Sequence, residues 1–460
     1  MSQPLDRRTF LHVVGAGAAA MALPPPLLSA SQGSAGRKPN ILVIVADDLG
    51  YGDLGVQGCR DVPTPNIDAI AKNGARFTNG YVSCPVCSPT RAGLMTGRYQ
   101  QRFGHEFNPG PQEAADSSFG LPLTEVTLAD RLKAAGYATG LVGKWHLGFK
   151  PEFHPQKRGF DEFFGFLGGA HPYFGRKAGR RNPILRGTKP VIEEAYLTDA
   201  FAREGVAFID RHKGGPFLLM LTFNAIHTPQ QASPKYLDGF RDIKDPIRQR
   251  MAAMLSALDE GVGAVMKKLR ESALEHDTLV FFISDNGGPT PSNGSRNGEL
   301  SGYKAQVREG GIRVPFLLQW VGHVPPGSVY DLPVISLDIH PTCLAAAGVN
   351  ASIPAEKALD GVNLVPFVNG SRSGAPHDAL FWRMGPQAAV RAGRHKLVRT
   401  QKSEQLFDLD ADVGEKMDLA KQKPEVLKDL KARLAAWEAQ MKAPAWTRRQ
   451  RRRRRTQHYT

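Results

Sequence analysis

The sequence has few cysteines, four in 460 residues, and this scarcity excludes a small domain framed by disulfides. Cys84 and Cys87 form a C-x-x-C, but no second ligand pair at zinc spacing accompanies it, so no zinc module is predicted. No internal repeat is visible, which argues against solenoids and propellers. No helix-turn-helix pattern or aromatic RNA-binding motif is present, so nucleic acid is not expected as a partner.

Long apolar runs are also missing. The longest candidate ends at Leu23 and is shorter than the roughly 20 residues that a membrane span needs, so no span is expected in the mature chain. Residues 1–36 combine Arg7-Arg8, this short apolar run and a Pro-, Ser- and Gly-rich end, as twin-arginine signals do. The pattern predicts a bacterial protein exported by the twin-arginine machinery to the periplasm or the medium.

Positive charge is strongest at the other end of the chain. The net charge is +15, and seven of the positive charges are arginines between Arg448 and Arg455. We expect residues 446–460 to be a basic disordered tail. A polyanion-binding protein is the non-enzymatic alternative, and removal of the tail would abolish that function while hardly altering a hydrolase acting on a small substrate.

Between the termini, short apolar runs alternate with amphipathic helical patterns such as 197–212 and 251–269. Runs of this kind are typical of strands buried on both faces of a sheet, and they occupy 41–46, 138–143, 216–223, 278–284 and 314–320. The alternation predicts an α/β fold over 37–350, with a mainly parallel sheet flanked by helices. Shorter strands and a last helix at 424–441 predict a smaller C-terminal subdomain over 351–445, made of an antiparallel sheet plus a helix.

Polar side chains follow four of the buried runs, at the point where each run ends. They are Asp47 and Asp48, Lys144 and His146, Asn224 and His227, and Asp285 and Asn286. Each pair alone is ordinary turn chemistry. Because ligands of an open parallel sheet bind beyond the carboxyl ends of its strands, their joint occurrence indicates one site.

Three carboxylates in one place would repel each other strongly unless a cation lies among them. Asp47, Asp48, Asp285 and the Asn286 amide offer only oxygen atoms. Such a set suits calcium or magnesium, and it lacks the imidazole or thiolate that zinc prefers. The sequence therefore predicts a site for a hard divalent cation.

The segment around Cys87 predicts a short helix with Ser88 as its cap, Pro89 in its first turn and Gly97 at its end. Cys87 would precede the helix N-terminus, where backbone N–H groups favour an anion, and Arg91 would add a fixed positive charge. A redox pair of Cys84 and Cys87 is the alternative. Such a pair would require Cys84 but neither the carboxylates nor Arg91.

The run Cys87-Ser88-Pro89-Thr90-Arg91, continued by AGLMTGR, resembles the C-x-P-x-R signature of the type I, formylglycine-dependent sulfatases. Cys84 has no proline two positions later, so Cys87 is the matching cysteine. Further segments resemble the same family over nearly the whole chain after residue 36: 46–55, 143–148, 225–229, 284–288, 302–315, 359–367 and 406–420. The chain looks most like polysaccharide-directed sulfatases, including the N-acetylgalactosamine-6-sulfatases. One departure is Tyr303, where relatives often have a glycine, although Lys304 beside it is retained.

The resemblance implies an alkaline-phosphatase-like fold and hydrolysis of a sulfate ester on a carbohydrate. Cys87 would be oxidised to formylglycine by a formylglycine-generating enzyme or a radical maturase. One hydroxyl of the hydrated aldehyde would attack sulfur and release the alcohol. Deprotonation of the second hydroxyl would then expel sulfate and restore the aldehyde.

The resemblance also implies a role for each polar residue at the strand ends. Residue 87 and the oxygen set Asp47, Asp48, Asp285 and Asn286 would bind calcium, with magnesium as a second choice. Arg91 would brace this centre, while Lys144 and Lys304 would hold sulfate oxygens. His227 would lie towards the leaving group and His146 towards the formylglycine hydroxyl.

Substrate specificity is the least determined property. The segments 100–110, 168–181 and 228–236 are the predicted pocket lining, and the candidate sugar contacts are Arg102, His105, Asn108 and His171. A phosphonate or phosphate monoester hydrolase of the same superfamily is the alternative enzyme, since such enzymes can also use formylglycine. Assays on paired sulfate and phosphonate substrates would separate the two.

Overall fold

The apolar run before Asp47 forms a central strand of a ten-stranded sheet. The computed structural model describes residues 37–110, 119–174, 182–349 and 353–446. The strands are β1 Asn40–Ala46, β2 Ala75–Phe77, β3 Gly80–Tyr81, β4 Ala138–Lys144, β5 Glu162–Phe166, β6 Ile184–Arg186, β7 Lys189–Val191, β8 Phe217–Thr222, β9 Thr278–Ser284, β10 Phe316–Gln319, β11 Ser328–Tyr330, β12 Val334–Ile335, β13 Leu380–Met384, β14 Gln387–Ala392, β15 His395–Arg399 and β16 Glu404–Asp408.

The α-helices connect these strands and cover the sheet. They are α1 Pro65–Lys72, α2 Cys87–Thr96, α3 Leu128–Ala134, α4 Leu197–His212, α5 Pro234–Leu237, α6 Pro246–Glu271, α7 Thr290–Asn293, α8 Glu309–Ile312, α9 Ile339–Ala346, α10 Val365–Val368 and α11 Pro424–Glu438. The longest, α6, starts where Asp245 accepts a hydrogen bond from Ile247 N at 2.9 Å and where Pro246 occupies the first helical position.

The large sheet has the strand order β11-β2-β10-β9-β1-β8-β4-β5-β6-β7. Neighbours from β9 through β5 are parallel, as the buried apolar runs predict. The run at 314–320 also forms a buried strand, β10, but it pairs antiparallel with both β9 and β2. A buried antiparallel strand inside a mixed sheet carries the same apolar run as its parallel neighbours, so composition alone does not give its direction.

The sheet separates two apolar cores, and β1 contributes to both. Ile41, Val43 and Val45 pack into one core, whereas Leu42 and Ile44 pack into the other. The alternation follows from the strand period of two and explains why every residue of this strand is apolar or small after Asn40. Helices α4 and α6 cover the second core.

Strands β13 to β16 form a separate four-stranded antiparallel sheet, and α11 packs on β14 and β15. The predicted α/β class with a smaller antiparallel-sheet-plus-helix part is therefore confirmed. The boundaries at 350 and 445 stay predictions. The signal segment 1–36 and the tail from 447 onward lie outside the described residues. Among the described helices, none is both long and apolar enough to cross a bilayer.

Candidate active site

Four adjacent parallel strands, β9, β1, β8 and β4, end at the same edge of the sheet. The polar residues predicted from the sequence lie at these strand ends or a few residues beyond them, and Lys144 is the last residue of β4. Asp47, Lys144, Asp285 and Asn286 are all almost completely buried there. The structure thus brings the strand-end residues into one polar centre, as the parallel topology requires.

Cys87 is the first residue of α2, the ten-residue helix whose N-terminus faces this centre. Its Sγ lies 3.6 Å from Asp47 Oδ1 and 3.4 Å from Lys304 Nζ. Gly97 ends the helix in a left-handed conformation (φ 67°), as predicted. All four cysteines are in the described part of the chain, and no disulfide joins them.

The prediction that Ser88 caps this helix is wrong. The capping position is Val86, and Ser88 already lies inside the first turn. The Ser88 hydroxyl donates to the His146 carbonyl oxygen at 2.6 Å, so it is not available to the helix. Instead Asn108 Oδ1 accepts from the Ser88 backbone N–H at 3.0 Å, which satisfies one free amide of the first turn.

Each of the three carboxylates is paired with its own basic side chain. Lys144 Nζ is 2.5 Å from Asp47 Oδ2, Lys304 Nζ is 2.5 Å from Asp48 Oδ1, and Arg91 Nε is 2.9 Å from Asp285 Oδ2. Arg91 also donates to the Lys144 carbonyl oxygen at 2.9 Å, which links α2 to the end of β4. The negative charges of this centre are evident from the sequence, whereas the pairings that balance them are visible only in the structure.

These charges shift the pKa values of the groups around Cys87. Burial would raise the pKa of Asp47, but Lys144 and the other nearby cations hold it below its usual range. Burial, together with the negative charge of Asp285, raises the pKa of the Cys87 thiol to about 12. The unmodified thiol is therefore protonated near neutral pH and is a poor nucleophile.

The amide of Asn286 shows that the centre can accept a cation. Its Nδ2 donates to Asp48 Oδ1 at 2.8 Å and to the Gly287 carbonyl oxygen at 3.0 Å. Its Oδ1 is buried and accepts no hydrogen bond from the described residues. A buried amide oxygen without a donor is costly, and coordination to a metal ion would satisfy it. The oxygen set predicted from the sequence therefore fits a divalent cation.

A sulfur atom and an imidazole nitrogen also lie close to these oxygen atoms. One potential ligand atom from each of Asp47, Asp48, Cys87 and His227 lies within 4.8 Å of the others. The imidazole of His227, which was predicted to lie towards the leaving group, is thus close to the oxygen set, although that set itself contains no imidazole or thiolate. Sulfur and imidazole ligands also suit zinc, so the choice of calcium rests on the oxygen atoms and stays a prediction.

The two predicted histidines have different surroundings in the centre. His227 is partly exposed, its Nδ1 is 2.6 Å from the Thr228 carbonyl oxygen and its Nε2 is 3.7 Å from Asp48 Oδ2. Because a carbonyl only accepts, Nδ1 carries the proton and Nε2 faces the site. His146 has a left-handed backbone (φ 60°) and a buried Nδ1 without a described partner. Burial, then the charges of Lys144 and Arg91, lower the pKa of His146 well below its usual value, so its ring is neutral.

The predicted sugar contacts are engaged within the protein. Arg102 forms a two-pronged ion pair with Asp360 at 2.6 and 2.8 Å. His105 is fully buried, with Nε2 2.7 Å from Ser88 Oγ and its ring edge-on to Trp446. Together with the contact of Asn108 to Ser88, these interactions favour support of α2 over direct sugar contact.

His171, the fourth candidate, is buried against Phe166, and its Nε2 has no described hydrogen-bond partner. Its carbonyl oxygen accepts from Asn224 Nδ2 at 3.4 Å. Nearby, Gly169 touches the His146 ring so closely that an added Cβ would lie 2.6 Å from His146 Nε2. The segment predicted to line the pocket therefore supports the catalytic histidine candidates.

Several supporting groups were not predicted from the sequence. Thr222 Oγ1 donates to the Lys144 carbonyl oxygen at 2.8 Å, and the Tyr173 hydroxyl contacts the carbonyl oxygens of Asn224 and His227 at 2.6 and 2.9 Å. Thr222 ends an apolar run next to the site residues, so its position was a usable signal. Nothing local in the sequence indicates the contacts of Tyr173.

Comparison with known proteins agrees with this geometry. The Sulfatase family model matches residues 39–349, and the model for the N-sulphoglucosamine sulphohydrolase C-terminal region matches 301–440. N-acetylgalactosamine-6-sulfatase of Homo sapiens is 36% identical over 382 residues, covering 78% of this chain and 71% of the relative. Arylsulfatase A of Bos taurus is 38% identical over 401 residues, covering 79% of this chain and 75% of the relative. The crystal structure of Ps i-CgsB in complex with k-i-k-neocarrahexaose has a TM-score of 0.85 and 37% identity, covering 89% of this chain and 95% of that one.

Proposed function

The chain belongs to the sulfatase family and is a sulfuric ester hydrolase, and we propose that it cleaves sulfate from a carbohydrate at the Cys87 centre. The observation that carries the proposal is the position of residue 87, at a helix N-terminus between paired carboxylates and lysines. Two relatives support a carbohydrate as the substrate. One is N-acetylgalactosamine-6-sulfatase, by its name, and the other is Ps i-CgsB, by its bound neocarrahexaose.

Formylglycine at position 87 is part of this proposal. The thiol is buried and protonated, and a protonated thiol is a poor nucleophile. A formylglycine-generating enzyme or a radical maturase would supply the aldehyde, whose hydrate offers one hydroxyl as nucleophile and a second that lets sulfate leave. Because residue 87 is only 1% exposed, we expect the conversion to precede complete folding.

A calcium ion, or magnesium in its place, completes the proposed centre. Asp47, Asp48, Asp285 and Asn286 would hold it, with Asn286 Oδ1 as the clearest available ligand. When bound, the ion acts as a Lewis acid towards the oxygens of the reacting group. The oxygen atoms of these four side chains suit calcium or magnesium, and the resemblance to the type I sulfatases favours calcium.

The basic side chains bind and orient the sulfate group. Lys144 and Lys304 each form an ion pair with a carboxylate of the centre, Asp47 and Asp48 respectively. A bound sulfate would offer their ammonium groups a second anionic partner. Arg91 stays fixed by its contacts to Asp285 and the Lys144 carbonyl, so it holds the helix and the strand in place. Neutral His146 can accept a proton from a hydroxyl of residue 87.

A substrate panel tests the proposed function. Matured protein is incubated with sulfated mono- and disaccharides, with neocarrahexaose, and with matched phosphate and phosphonate monoesters, and released sulfate or phosphate is measured. We expect at least one sugar sulfate to have a higher kcat/KM than any phosphorus ester. A preference for the phosphonate would show that the protein is the alternative phosphonate or phosphate monoester hydrolase. The absence of turnover of any sugar sulfate would contradict the proposal that the substrate is a carbohydrate.

Replacing His227 by alanine should slow sugar sulfates far more than nitrophenyl sulfate. An alcohol needs a proton as its S–O bond breaks, whereas nitrophenolate leaves as an anion. General acid catalysis of this kind raises the reaction rate roughly a hundred- to ten-thousand-fold. Steady-state rates on both substrates measure the effect.

His146→Ala is the matched comparison for this experiment. It removes the neutral base of a step common to all substrates, so both rates should fall alike and sulfated enzyme should accumulate. Equal damage to both substrates by His227→Ala would mean that the two roles are misassigned.

We also propose that the protein acts outside the cytoplasm, because residues 1–36 carry the features of a twin-arginine signal. This route transports folded proteins, which suits an enzyme whose modified residue is buried. Fractionation of producing cells should find the activity in the periplasm or the medium. Activity confined to the cytoplasm would contradict the proposal.

A further inference from the structure

The loop that carries Lys304 has almost no regular structure of its own. Residues 301–308 form neither helix nor strand, and Gly302 and Ala305 have left-handed backbones (φ 76° and 72°). Yet Lys304 Nζ lies 2.5 Å from Asp48 and 3.4 Å from Cys87 Sγ. A loop without an internal hydrogen-bond ladder keeps such a position only if other parts of the chain hold it.

Much of that support comes from the C-terminal sheet and the segment that follows it. Gln387 Nε2, on β14, donates to the Ala305 carbonyl oxygen at 3.1 Å. Arg308 reaches Gln405 Oε1, on β16, at 2.5 Å and the Glu415 carbonyl oxygen at 3.4 Å. Other parts of the chain also hold the loop through backbone groups: Ala305 N donates to the Pro85 carbonyl oxygen at 2.8 Å, and Asn297 Nδ2 donates to the Gly302 carbonyl oxygen at 3.3 Å. Gly310 N donates to the Ser301 carbonyl oxygen at 2.7 Å.

Glu415 is the central member of this support. Its carboxylate accepts a hydrogen bond from the Ser301 hydroxyl at the start of the loop and another from Glu309 N, just after the loop, at 2.9 Å. Glu415 is buried, and its backbone has a left-handed conformation (φ 50°). One carboxylate therefore clamps both ends of the loop.

Lys396 holds Glu415 in place. Its Nζ, which is fully buried, lies 2.9 Å from Glu415 Oε1 and 2.7 Å from Glu309 Oε1. Glu309 in turn accepts from the Tyr81 hydroxyl at 2.7 Å, and Tyr81 lies six residues before Cys87. Buried ions are costly unless paired, so these groups keep a fixed arrangement.

We propose that Glu415 is a positioning residue, which fixes the Lys304 loop over Cys87 and so makes the C-terminal sheet part of the catalytic apparatus without contact to the substrate. The inference rests on the proposed role of Lys304 as a ligand of the sulfate group. A displacement of a reacting or binding group by about 1 Å costs roughly a hundredfold in rate. Loss of the clamp should therefore appear in catalysis and not only in stability.

The test is a double-mutant cycle with Glu415→Gln and Lys304→Ala, measured as kcat/KM on nitrophenyl sulfate well below the melting temperatures. Glu415→Gln alone should lower kcat/KM roughly a hundredfold. In the Lys304→Ala background it should cost little more, because there is no longer a lysine to position. Equal losses in both backgrounds, or an unchanged rate with a lower Tm, would overturn the proposal.

Two further variants keep the test decisive. Arg394→Ala breaks an exposed ion pair with Asp408 on the same sheet, far from the loop in sequence, and should leave kcat/KM unchanged. If Glu415→Gln does not fold, Ser301→Ala removes only the hydroxyl that Glu415 binds and should give a smaller loss, about tenfold, with the same non-additivity.

Hydrogen exchange separates this proposal from the proposed function. Amides of residues 301–308 should exchange faster in Glu415→Gln or Ser301→Ala than in the parent protein, whatever the substrate is. Unchanged exchange would overturn the clamp. Faster exchange with no effect of Lys304→Ala on turnover would instead show that the clamp exists and that the role given to Lys304 is wrong.

Discussion

Replacing Cys87 by alanine should abolish turnover of every sulfate ester, by roughly four orders of magnitude or more in kcat. The reason is chemical: alanine can be neither oxidised to the aldehyde nor activated as a nucleophile. The fold should survive, because the hydrogen bonds that Cys87 Sγ makes with the described residues are the two long ones to Asp47 and Lys304. Alanine is also well suited to a first helical turn, and Asn108 still satisfies the Ser88 amide.

Cys84→Ala is the control for this prediction. Cys84 is equally buried and three residues away, and its carbonyl oxygen, which accepts from Thr90 Oγ1 at 2.7 Å, is kept in the variant. We expect a loss of about 1 kcal/mol in the free energy of unfolding and nearly full activity. The redox-pair alternative predicts the opposite, since it requires Cys84.

Mass spectrometry of the peptide that contains both cysteines checks the chemistry directly. In a host with the maturing enzyme, residue 87 should carry the mass of formylglycine, and residue 84 should be unmodified. Fully active protein with an intact thiol at position 87 would refute the proposed nucleophile.

Removal of the bound metal should reduce turnover by roughly three orders of magnitude, since a Lewis acid supplies several kcal/mol of transition-state stabilisation. Calcium or magnesium should restore the rate better than zinc, because Asn286 and the three aspartates present oxygen atoms. Metal content and activity are measured together after chelation and after each addition. A metal-free preparation with full activity would refute the assignment.

Asp48→Ala should lose both metal and rate. This substitution removes a carboxylate that contacts Lys304 Nζ and Asn286 Nδ2, so each group loses one of its partners in the site. Calcium should then no longer raise the melting temperature, whereas we expect it to do so in the parent protein by mass action. Asp259→Asn is the matched control: Asp259 is also buried, but it binds backbone amides at the start of α1 and should affect stability alone.

Much of this architecture can be predicted from the sequence because its signals are local. A strand buried on both faces needs a continuous apolar run, so the strands at 40–46 and 278–284 are identified nearly to the residue. Parallel neighbours place their carboxyl ends together, so polar residues after four such runs indicate one site. The C-x-P-x-R signature that starts at Cys87 likewise lies within one short segment, in helix α2, and identifies the family.

Other features depend on residues far apart in the chain. Local sequence patterns did not predict the direction of β10 or the pairing of each active-site carboxylate with its own cation. They also did not predict the contacts of Arg102 and His105. Ser88 illustrates the reason. By itself it is a favourable helix cap, but in the folded chain the carbonyl of His146, 58 residues away, uses its hydroxyl.

The sequence alone therefore determined which residues carry the chemistry and which family the chain resembles, because residue type and short spacing specify both. Only the tertiary structure decided how those residues are held. The clamp of Glu415 on the Lys304 loop joins positions more than 100 residues apart, and its left-handed backbone is tolerated only because buried contacts compensate the strain. Such arrangements arise from packing of the whole chain, and no local segment encodes them.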